Sequence, residues 1–431
     1  MADHNRVTVL DFAAGTGTFL VEVFEKAIQN AGGSGSGRAD QIVREHLLQH
    51  VYGFEYLIAP YTIAHLKISQ FLASKRHQLT SGEGLKIYLT NSLEPSEPQH
   101  NMFLPALSAE AEAAQAVKEQ PILVITGNPP YSGHSRNKGE WIRNLIEDYK
   151  YVDGARLSER NAKWLHDDYV KFLRFAQHKM GQVEEGIVGV ITNHAFLDNP
   201  TFRGMRESML QSFDAIYTID LHGSAKRTQV SNSSAREENV FDIQQGVAIT
   251  LFVKNRRIHE PGVWHADLWG SRLDKYKHLA EKSLSDVEWS KVEPQSPYYL
   301  FIPHAQKVWE HYAHGWPLPR IFPTHVLGFQ THRDKFAIAF SAEELKRRVR
   351  EMRDISIPDE ELRRKYGLKD NRDWQLKSAR TALGRLSSPE EKIHFCAYRP
   401  FDVRYGFLGY EIMDYPRREI LDHVAGRSNV N

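Results

Sequence analysis

Residues 7–20 read VTVLDFAAGTGTFL, and the order of residue types in this segment indicates a strand, a glycine turn and a helix. The apolar start ends in Asp11, and the apolar residues from Phe19 onward recur at helical spacing. Gly15 and Gly17 allow positive φ angles and close approach of the backbone to a ligand. The third glycine of the dinucleotide fingerprint GxGxxG is missing, and no P-loop motif occurs in the chain. These absences argue against phosphate-centred cofactors.

The same alternation of strands and helices continues to about residue 256. Further strands are predicted at residues 51–54, 87–89, 122–125, 186–192, 215–221 and 246–253, and helices at 19–28, 59–74, 169–180 and 202–212. The run at 122–125 is entirely apolar, as is typical of strands buried in a parallel sheet. Strands that alternate with helices imply right-handed crossovers and an α/β fold.

Polar residues stand where four of the predicted strands end. They are Asp11, Glu55, Asn91 and Asn128. Because ligands of open parallel sheets bind outside the carboxyl ends of the strands, we expect these side chains to converge on one rim. A glycine turn followed by an acidic residue on the next strand suits a nucleoside-bearing cofactor whose ribose hydroxyls donate to Glu55.

The sharpest motif is Asn128-Pro129-Pro130-Tyr131. Each proline restricts the residue before it to extended conformations and has no N–H, so the motif presents a stiff row of acceptors. The Asn128 side-chain oxygen and the Pro129 carbonyl are placed to accept the two protons of an exocyclic amine. Tyr131 is placed to stack on the ring that bears this amine.

These motifs resemble those of S-adenosylmethionine-dependent, adenine-specific (amino-N6) DNA methyltransferases of the γ motif order, in which the cofactor motifs precede the catalytic one. Residues 11–20 are similar to their first motif and residues 128–131 to their catalytic motif. The likeness is closer still to the methyltransferase and target-recognition portion of Type ISP restriction-modification enzymes. Segments similar to that portion, in the same order, are 53–55, 59–67, 90–94, 128–135 and 398–405.

The resemblance implies a Rossmann-like S-adenosylmethionine-dependent methyltransferase fold with a mixed, mostly parallel sheet, followed by an α+β target-recognition region. It also implies methyl transfer from S-adenosylmethionine to N6 of a flipped-out adenine in duplex DNA, as the modification part of a restriction-modification system. Carried over residue by residue, it assigns the target base to Asn128, Pro129, Pro130 and Tyr131, and the cofactor to Asp11, Ala13, Gly15, Thr16, Gly17, Thr18, Glu55, Asn91, Ser92 and Leu93.

Within the cofactor set, the resemblance gives each group a separate part of the ligand. The glycine turn holds the methionine portion, with Asp11 near its amino group. Glu55 binds the ribose hydroxyls and Asn91 lies beside the adenine ring. The segment from Arg136 to Trp141 is either a lid over the flipped base or an ordinary loop, and the resemblance favours the lid.

The chain also departs from the family pattern. Phe12 stands where the family usually has proline. Little sequence precedes the first motif, so we expect a methyltransferase domain at 1–256 that lacks its N-terminal helical part. We expect 257–431 to be an incomplete DNA target-recognition region. Nuclease and helicase regions of a longer restriction enzyme are then further partners.

Charge is divided unevenly along the chain. Residues 320–408 hold 19 Lys and Arg against 13 Asp and Glu, although the whole chain has a net charge of only +1. A local basic surface can bind phosphates even when a molecule is nearly neutral overall. Basic helices are predicted at 343–353 and 359–365. Phe401, Tyr405 and Tyr410, near Arg399 and Arg404, form either an aromatic and basic platform for DNA or the core of the C-terminal region, and we expect the core with exposed arginines.

Several protein classes are excluded. The apolar runs fall short of the roughly 20 residues that a membrane helix needs, and no signal peptide is present, so we predict a cytoplasmic protein. A single cysteine, Cys396, rules out an internal disulfide and a thiolate zinc cluster. His304, His311 and His314 lack a clear arrangement with carboxylates, and we predict no metal site.

Two other functions stay open at the level of sequence. NPPY motifs also occur where RNA bases or protein glutamine side chains are methylated, so the acceptor amine need not belong to DNA. A catalytically silent DNA-binding module could also retain the same fold. The basic C-terminal region favours a nucleic-acid partner.

Overall fold

A computed structural model describes residues 7–95, 105–131, 133, 135–157, 162–224, 237–303, 314–399, 401–415, 417 and 419, with side chains omitted at 105–107. The chain divides into two compact units, Met1–Ala305 and Gln306–Asn431. Within the described residues, no helix has both the length and the apolar character needed to cross a membrane.

The first unit is built on a sheet that contains nine strands among the described residues. The strands are β1 (Val9–Asp11), β2 (Val51–Glu55), β3 (Lys86–Leu89), β4 (Val124–Gly127), β7 (Gly186–Asn193), β8 (Ala215–Asp220), β9 (Val247–Lys254), β10 (Gly262–Asp267) and β11 (Ser290–Val292). Their order across the sheet is β11-β10-β8-β9-β7-β4-β1-β2-β3. Neighbouring strands pair in parallel, except that β9 is antiparallel to β7 and β8 and β11 is antiparallel to β10. A separate hairpin consists of β5 (Tyr151–Val152) and β6 (Ala155–Arg156).

Helices cover both faces of this sheet. In chain order they are α1 (Thr18–Asn30), α2 (Gly37–Ile42), α3 (Leu48–His50), α4 (Ile58–Ser74), α5 (Pro105–Glu119), α6 (Glu140–Glu147), α7 (Asp168–Met180), α8 (Arg203–Ser212) and α9 (Arg272–Glu281). Leu20, Phe24 and Ile28 lie one turn apart along α1 and are buried, as helical periodicity requires. They share one apolar cluster with the buried stripe of α4.

Successive residues of the inner strands point to opposite faces of the sheet, and the side chains on both faces are buried. In β1, Val9 joins the cluster formed with α1 and α4, whereas Leu10 joins the larger cluster that contains residues of α7. Tyr169 and Phe172 of α7 are buried in that second cluster. This two-sided burial explains why the inner strands are continuous apolar runs.

The second unit is an α+β arrangement. Its antiparallel sheet has the order β12-β14-β13, formed by β12 (Ile338–Ala339), β13 (Ile393–Arg399) and β14 (Asp402–Phe407). Its helices are α10 (Leu318–Ile321), α11 (Asp334–Ala337), α12 (Ala342–Arg353), α13 (Asp359–Tyr366) and α14 (Leu376–Gly384). The basic helices expected at 343–353 and 359–365 are therefore present.

The predicted fold class is confirmed at the level of architecture: the first unit is an α/β fold with a mixed, mostly parallel sheet. The first unit extends past the boundary expected near residue 256, because β10 pairs with β8 along its whole length and β11 pairs with β10. Among the aromatic residues predicted to be core, Phe401 and Tyr410 are exposed instead, and Tyr405 is half-buried.

Candidate active site

The carboxyl ends of the parallel strands bring the predicted site residues to one edge of the sheet. Asp11 is in register with Gly53 of β2 and with Thr126 of β4, so three strands end together. Asn128 directly follows β4, and Asn91 lies two residues beyond β3. The four predicted polar residues therefore stand at one edge of the sheet, where Glu55 and Asn91 line a cavity, Asp11 is buried and Asn128 is exposed.

A cavity of about 450 Å³ opens at this edge, within the size range of small-molecule sites. Five predicted site residues line it: Ala13, Glu55, Asn91, Ser92 and Pro130. Arg136 and Asn137, from the segment considered above as a lid or an ordinary loop, also line it. The rest of the lining was not among the predicted site residues and comprises Phe12, Phe54, Tyr56, Leu57, Thr90, Glu94, Asp168 and Phe172. The cavity thus joins residues of the predicted cofactor set to the predicted catalytic motif.

The glycine turn is held against the end of β2 by Glu55. The Gly15 N–H donates to Glu55 Oε2 at 2.9 Å, and the Leu57 N–H donates to Oε1 at 2.7 Å. Each carboxylate oxygen accepts one backbone N–H and keeps capacity for a further donor, such as a hydroxyl in the cavity. Glu55 therefore shapes the turn as well as presenting acceptors to a ligand.

Gly17 is the point at which the turn enters α1. Its φ is +76°, and a Cβ there would lie 3.1 Å from the Cβ of Ala64 on α4. Both the left-handed backbone and the close approach of α4 require glycine. The flanking threonines point elsewhere: Thr16 is exposed, and Thr18 Oγ1 accepts from Lys67 Nζ at 3.0 Å.

Asp11 lies fully buried beneath the turn. Its Oδ1 accepts from the Ala13 N–H at 3.1 Å, whereas Oδ2 has no hydrogen-bond partner within the described part of the chain. Burial raises the pKa of Asp11 to about 7; the bond from Ala13 opposes this rise and the nearby Glu55 charge adds to it. An orphaned buried acceptor of this kind fits the positively charged amino group of a ligand.

The turn after β3 is rigidly held. Asn91 Oδ1 accepts from the Leu93 N–H at 3.0 Å, and Asn91 Nδ2 donates to Asn137 Oδ1 at 3.0 Å. The Ser92 hydroxyl donates to the Phe12 carbonyl at 2.6 Å. The Leu93 side chain is fully buried in the apolar core, so it supports the turn from behind.

Lys118 of α5 also stabilises this turn, a role that no sequence signal indicated. Its ammonium donates to Thr90 Oγ1 at 2.9 Å and to the carbonyls of Asn91 and Glu94 at 2.7 and 2.8 Å. Burial lowers the pKa of Lys118 to about 8. The three bonds connect α5 to the rim of the cavity.

The motif after β4 places one proline in the cavity wall. Pro130 lines the cavity, Pro129 is buried and the Asn128 side chain is exposed. The Tyr131 hydroxyl donates to Asn128 Oδ1 at 2.9 Å. Burial holds the pKa of Tyr131 well above its usual value, so the hydroxyl remains a donor at neutral pH.

Tyr131 is also fixed from the side by Tyr169 of α7, whose ring lies edge-on with centroids 6.2 Å apart. Ser132 and His134, which continue the motif in the sequence, lie outside the described residues. So do His304 and His311, two of the histidines considered above as metal ligands.

The segment at residues 135–137, which follows the motif, contributes Arg136 and Asn137 to the wall of the cavity. Hydrogen bonds with Asp168 and Lys171 of α7 fix its position. Asp168 Oδ1 accepts from the Ser135 hydroxyl at 2.5 Å and from Asn137 Nδ2 at 2.9 Å. Lys171 Nζ donates to Ser135 Oγ at 2.6 Å and to the Asn137 carbonyl. Because Asn137 also bonds Asn91, this network links the motif segment to the end of β3.

Comparison with known proteins gives a family match for the C-terminal part. Residues 320–431 match the model of the Type ISP C-terminal specificity domain. No curated protein matches the chain.

Three solved structures share the fold over 95% of the chain. They are a cryo-EM DrdV–DNA complex (25% identity, TM-score 0.65, 41% of that chain covered), the ATP-dependent Type ISP restriction-modification enzyme LlaBIII bound to DNA (21%, 0.64, 28%), and a nuclease-deletion mutant of the Type ISP enzyme LlaGI with a DNA substrate mimic (22%, 0.65, 40%). The present chain therefore spans less than half the length of each of these proteins. The resemblance to Type ISP enzymes is confirmed in fold and in the C-terminal specificity domain.

Proposed function

We propose that the chain transfers a methyl group from S-adenosylmethionine to the N6 amino group of an adenine flipped out of duplex DNA. The observation that carries this proposal is the cavity itself, because its wall contains both residues of the predicted cofactor set and Pro130 of the NPPY motif. A cofactor pocket that opens directly beside a row of amine acceptors is what direct methyl transfer to an amine requires.

The cofactor residues fit S-adenosylmethionine in charge and hydrogen bonding. The orphaned Asp11 Oδ2 suits the amino group of the methionine portion, and the Glu55 oxygens have capacity for ribose hydroxyls. The adenine ring is assigned to the rim beside Asn91, where Phe54 supplies an apolar wall. When bound, S-adenosylmethionine supplies a methyl group that is already electrophilic.

The remaining task of the chain is to hold the amine. Asn128 Oδ1 and the Pro129 carbonyl accept the two N6 protons, which directs the nitrogen lone pair away from both acceptors. These oxygens also stabilise the positive charge that develops on nitrogen during transfer. Tyr131 stacks on the base and offsets part of the few kcal/mol needed for flipping. The N6 lone pair forms the new N–CH3 bond as the S–CH3 bond breaks to leave a thioether, and the methylated nitrogen then loses one proton to solvent, so the step requires no metal or general base.

The C-terminal unit is proposed to bind and position the DNA. It matches a specificity domain, and the three structures of the same fold were all solved with DNA or a DNA mimic. The basic residues Arg347, Arg350 and Arg364 are exposed on α12 and α13. As part of a longer enzyme with nuclease and helicase regions, the chain would act as the modification portion of a restriction-modification system.

The test is methyl transfer by the chain itself, followed by identification of the methylated base. The purified protein is titrated with S-adenosylmethionine by calorimetry, then incubated with labelled cofactor and genomic DNA that lacks adenine methylation. We expect binding and N6-methyladenine after nucleoside digestion. Asn128→Ala should slow transfer by roughly 100-fold or more while cofactor affinity is unchanged.

Other outcomes identify the alternatives. Label in RNA or in a glutamine side chain, with none in DNA, would reassign the acceptor amine. DNA binding without cofactor binding would indicate a silent module of the same fold. Normal transfer by the Asn128→Ala variant would refute the role given to the motif.

A further inference from the structure

A second polar cluster occupies the same edge of the sheet, beyond β4. His194 directly follows β7, Asp220 ends β8, and His222 lies two residues further on. All three are buried, and one ligand atom from each can be chosen so that the three atoms lie within 4.8 Å of one another. A cavity of about 200 Å³ adjoins them. Sequence analysis predicted no metal site.

The hydrogen bonds identify which nitrogen of each ring faces the others. His194 Nδ1 lies 2.9 Å from Asp220 Oδ1 and 3.2 Å from Oδ2. His222 Nδ1 lies 3.4 Å from Asp220 Oδ2 and has no hydrogen-bond partner among the described residues. His222 is more than nine-tenths buried. A buried ring nitrogen that makes no hydrogen bond and is directed at a carboxylate is a place where a bound cation would satisfy both groups.

The distances suit ligands of a single ion. Bonds of about 2.0–2.1 Å to tetrahedral zinc place neighbouring ligand atoms about 3.3 Å apart. The nitrogen–oxygen separations given above, 2.9 to 3.4 Å, bracket this value. One ring nitrogen of each histidine lies within 4.8 Å of the other, so the rings would have to close by up to about 1.5 Å to reach the tetrahedral spacing.

The rest of the cluster orients the proposed ligands. His222 Nε2 is 2.8 Å from Asp267 Oδ1. In the neutral tautomer that donates this hydrogen bond, Nδ1 carries the lone pair that would bind the ion. Such carboxylate–histidine pairs typically support metal ligands from behind. The Trp269 ring stacks on His222 with planes inclined by 13°. Gly246 leaves room for His194, since a Cβ at 246 would lie 2.3 Å from its ring.

We infer that His194 Nδ1, Asp220 and His222 Nδ1 form a binding site for one divalent transition-metal ion, with Zn²⁺ the best match. Two imidazoles and one carboxylate exclude the all-oxygen sites that Mg²⁺ and Ca²⁺ prefer. His194 binds as the neutral tautomer that carries its proton on Nε2. A fourth ligand position faces the cavity beside Leu197 and Pro303. The ion would cross-link the ends of β7 and β8.

The experiment uses the full chain, freed of any purification tag and treated with chelator. Zn²⁺ is titrated in competition with a chromophoric chelator, and Co²⁺ is substituted to record its visible absorption. We expect one tightly bound ion per chain and the intense ligand-field bands of tetrahedral Co²⁺. Weak bands of six-coordinate Co²⁺, or no ion held against the chelator, would overturn the inference without any variant.

Variants then locate the ion. Asp220→Asn and His194→Gln should abolish tight binding, and Asp267→Asn should weaken it by roughly 10- to 100-fold. His259→Gln is the matched control, because His259 is exposed and lies outside the cluster. Circular dichroism verifies that each variant is folded. Equal zinc affinity in folded Asp220→Asn and in the His259→Gln control would contradict the assignment.

Discussion

The Tyr131 hydroxyl donates to Asn128 Oδ1 over 2.9 Å, so the residue proposed to stack on the target base also holds the proposed acceptor of its amine. Tyr131→Phe removes this bond and keeps the ring. A net loss of about 1 kcal/mol is expected for one such bond, which corresponds to a roughly fivefold slower transfer. Tyr131→Ala also removes stacking worth about 1–3 kcal/mol and should be slower still.

Single-turnover methyl transfer measures both variants, with the affinity for S-adenosylmethionine as the control that should not change. Equal rates for Tyr131→Phe and Tyr131→Ala would show that the ring contributes nothing beyond its hydroxyl. An unchanged rate in Tyr131→Phe would show that the hydrogen bond from Tyr131 is not required to position Asn128.

Glu55 has two tasks, because it accepts the N–H groups of Gly15 and Leu57 and faces the cavity. Glu55→Gln keeps the shape, removes the charge and replaces one acceptor oxygen by a donor. Hydrogen bonds to charged groups contribute about 1.5–3 kcal/mol, so cofactor affinity should fall at least tenfold. Calorimetric titration measures this change.

The matched control is Glu94→Gln, which makes the same charge change at the wall of the same cavity. We expect it to alter cofactor affinity by no more than about twofold, since exposed charges interact weakly across solvent. If both variants lose affinity equally, the general charge of the cavity matters and the specific bonds of Glu55 do not.

The inner half of the sheet was predictable because each strand there is a short, continuous apolar run followed by a polar residue. The helix predicted at 59–74 is found at Ile58–Ser74. The edge strand β3 was also predicted, whereas β10 and β11 at the opposite edge were missed. The sequence of β10 is GVWHAD, with two polar residues and a tryptophan, and its pairing with β8 is set by tertiary contacts. Burial by a neighbouring strand has no local signature.

The candidate site residues show the same contrast between positions with a local sequence signal and positions that are set by tertiary contacts. Asp11, Glu55, Asn91 and Asn128 were predictable as polar groups at strand ends, because Asp11 and Glu55 end β1 and β2, and Asn91 and Asn128 follow β3 and β4 within two residues. Asp168 was missed because an acidic residue at the start of a helix has an ordinary explanation as a favourable charge there. His194 and Asp220 lie at the same edge of the sheet because β9 is antiparallel to both β7 and β8, which therefore run in the same direction. This arrangement is set by tertiary pairing and has no local sequence signal.

The buried carboxyl of Asp11 predicts a pH-dependent stability. Its pKa is about 7 in the folded chain against an ordinary value of 3.8, so the folded state binds the proton more tightly than the unfolded state. The contribution of this protonation to the free energy of unfolding has its full value below about pH 4 and is lost as the pH rises through 7. The loss is on the order of 4 kcal/mol.

Urea unfolding between pH 4 and 8 checks this trend against Asp11→Asn, which has the same shape and does not titrate. The unmutated chain should lose stability over this interval relative to the variant, and the two curves should run parallel above about pH 8. Parallel curves throughout the whole interval would mean that Asp11 is already ionised at low pH.

Two neighbouring arginines on α12 allow an effect on DNA binding to be distinguished from an effect on folding stability. Arg347 is exposed, whereas Arg348 donates to the carbonyls of Phe336 and Ile338 at 3.1 and 2.8 Å and pairs with Glu344. If α12 lies along the DNA backbone, Arg347→Ala should reduce the slope of log affinity against log salt by about 0.9, with unchanged thermal stability. Arg348→Ala should lower the unfolding free energy by about 1–3 kcal/mol.

Fluorescence anisotropy with duplex DNA at several salt concentrations measures the effect of Arg347→Ala on binding, and urea unfolding measures the effect of Arg348→Ala on stability. A salt slope that is the same in Arg347→Ala and in the unmutated chain would place α12 away from the phosphates.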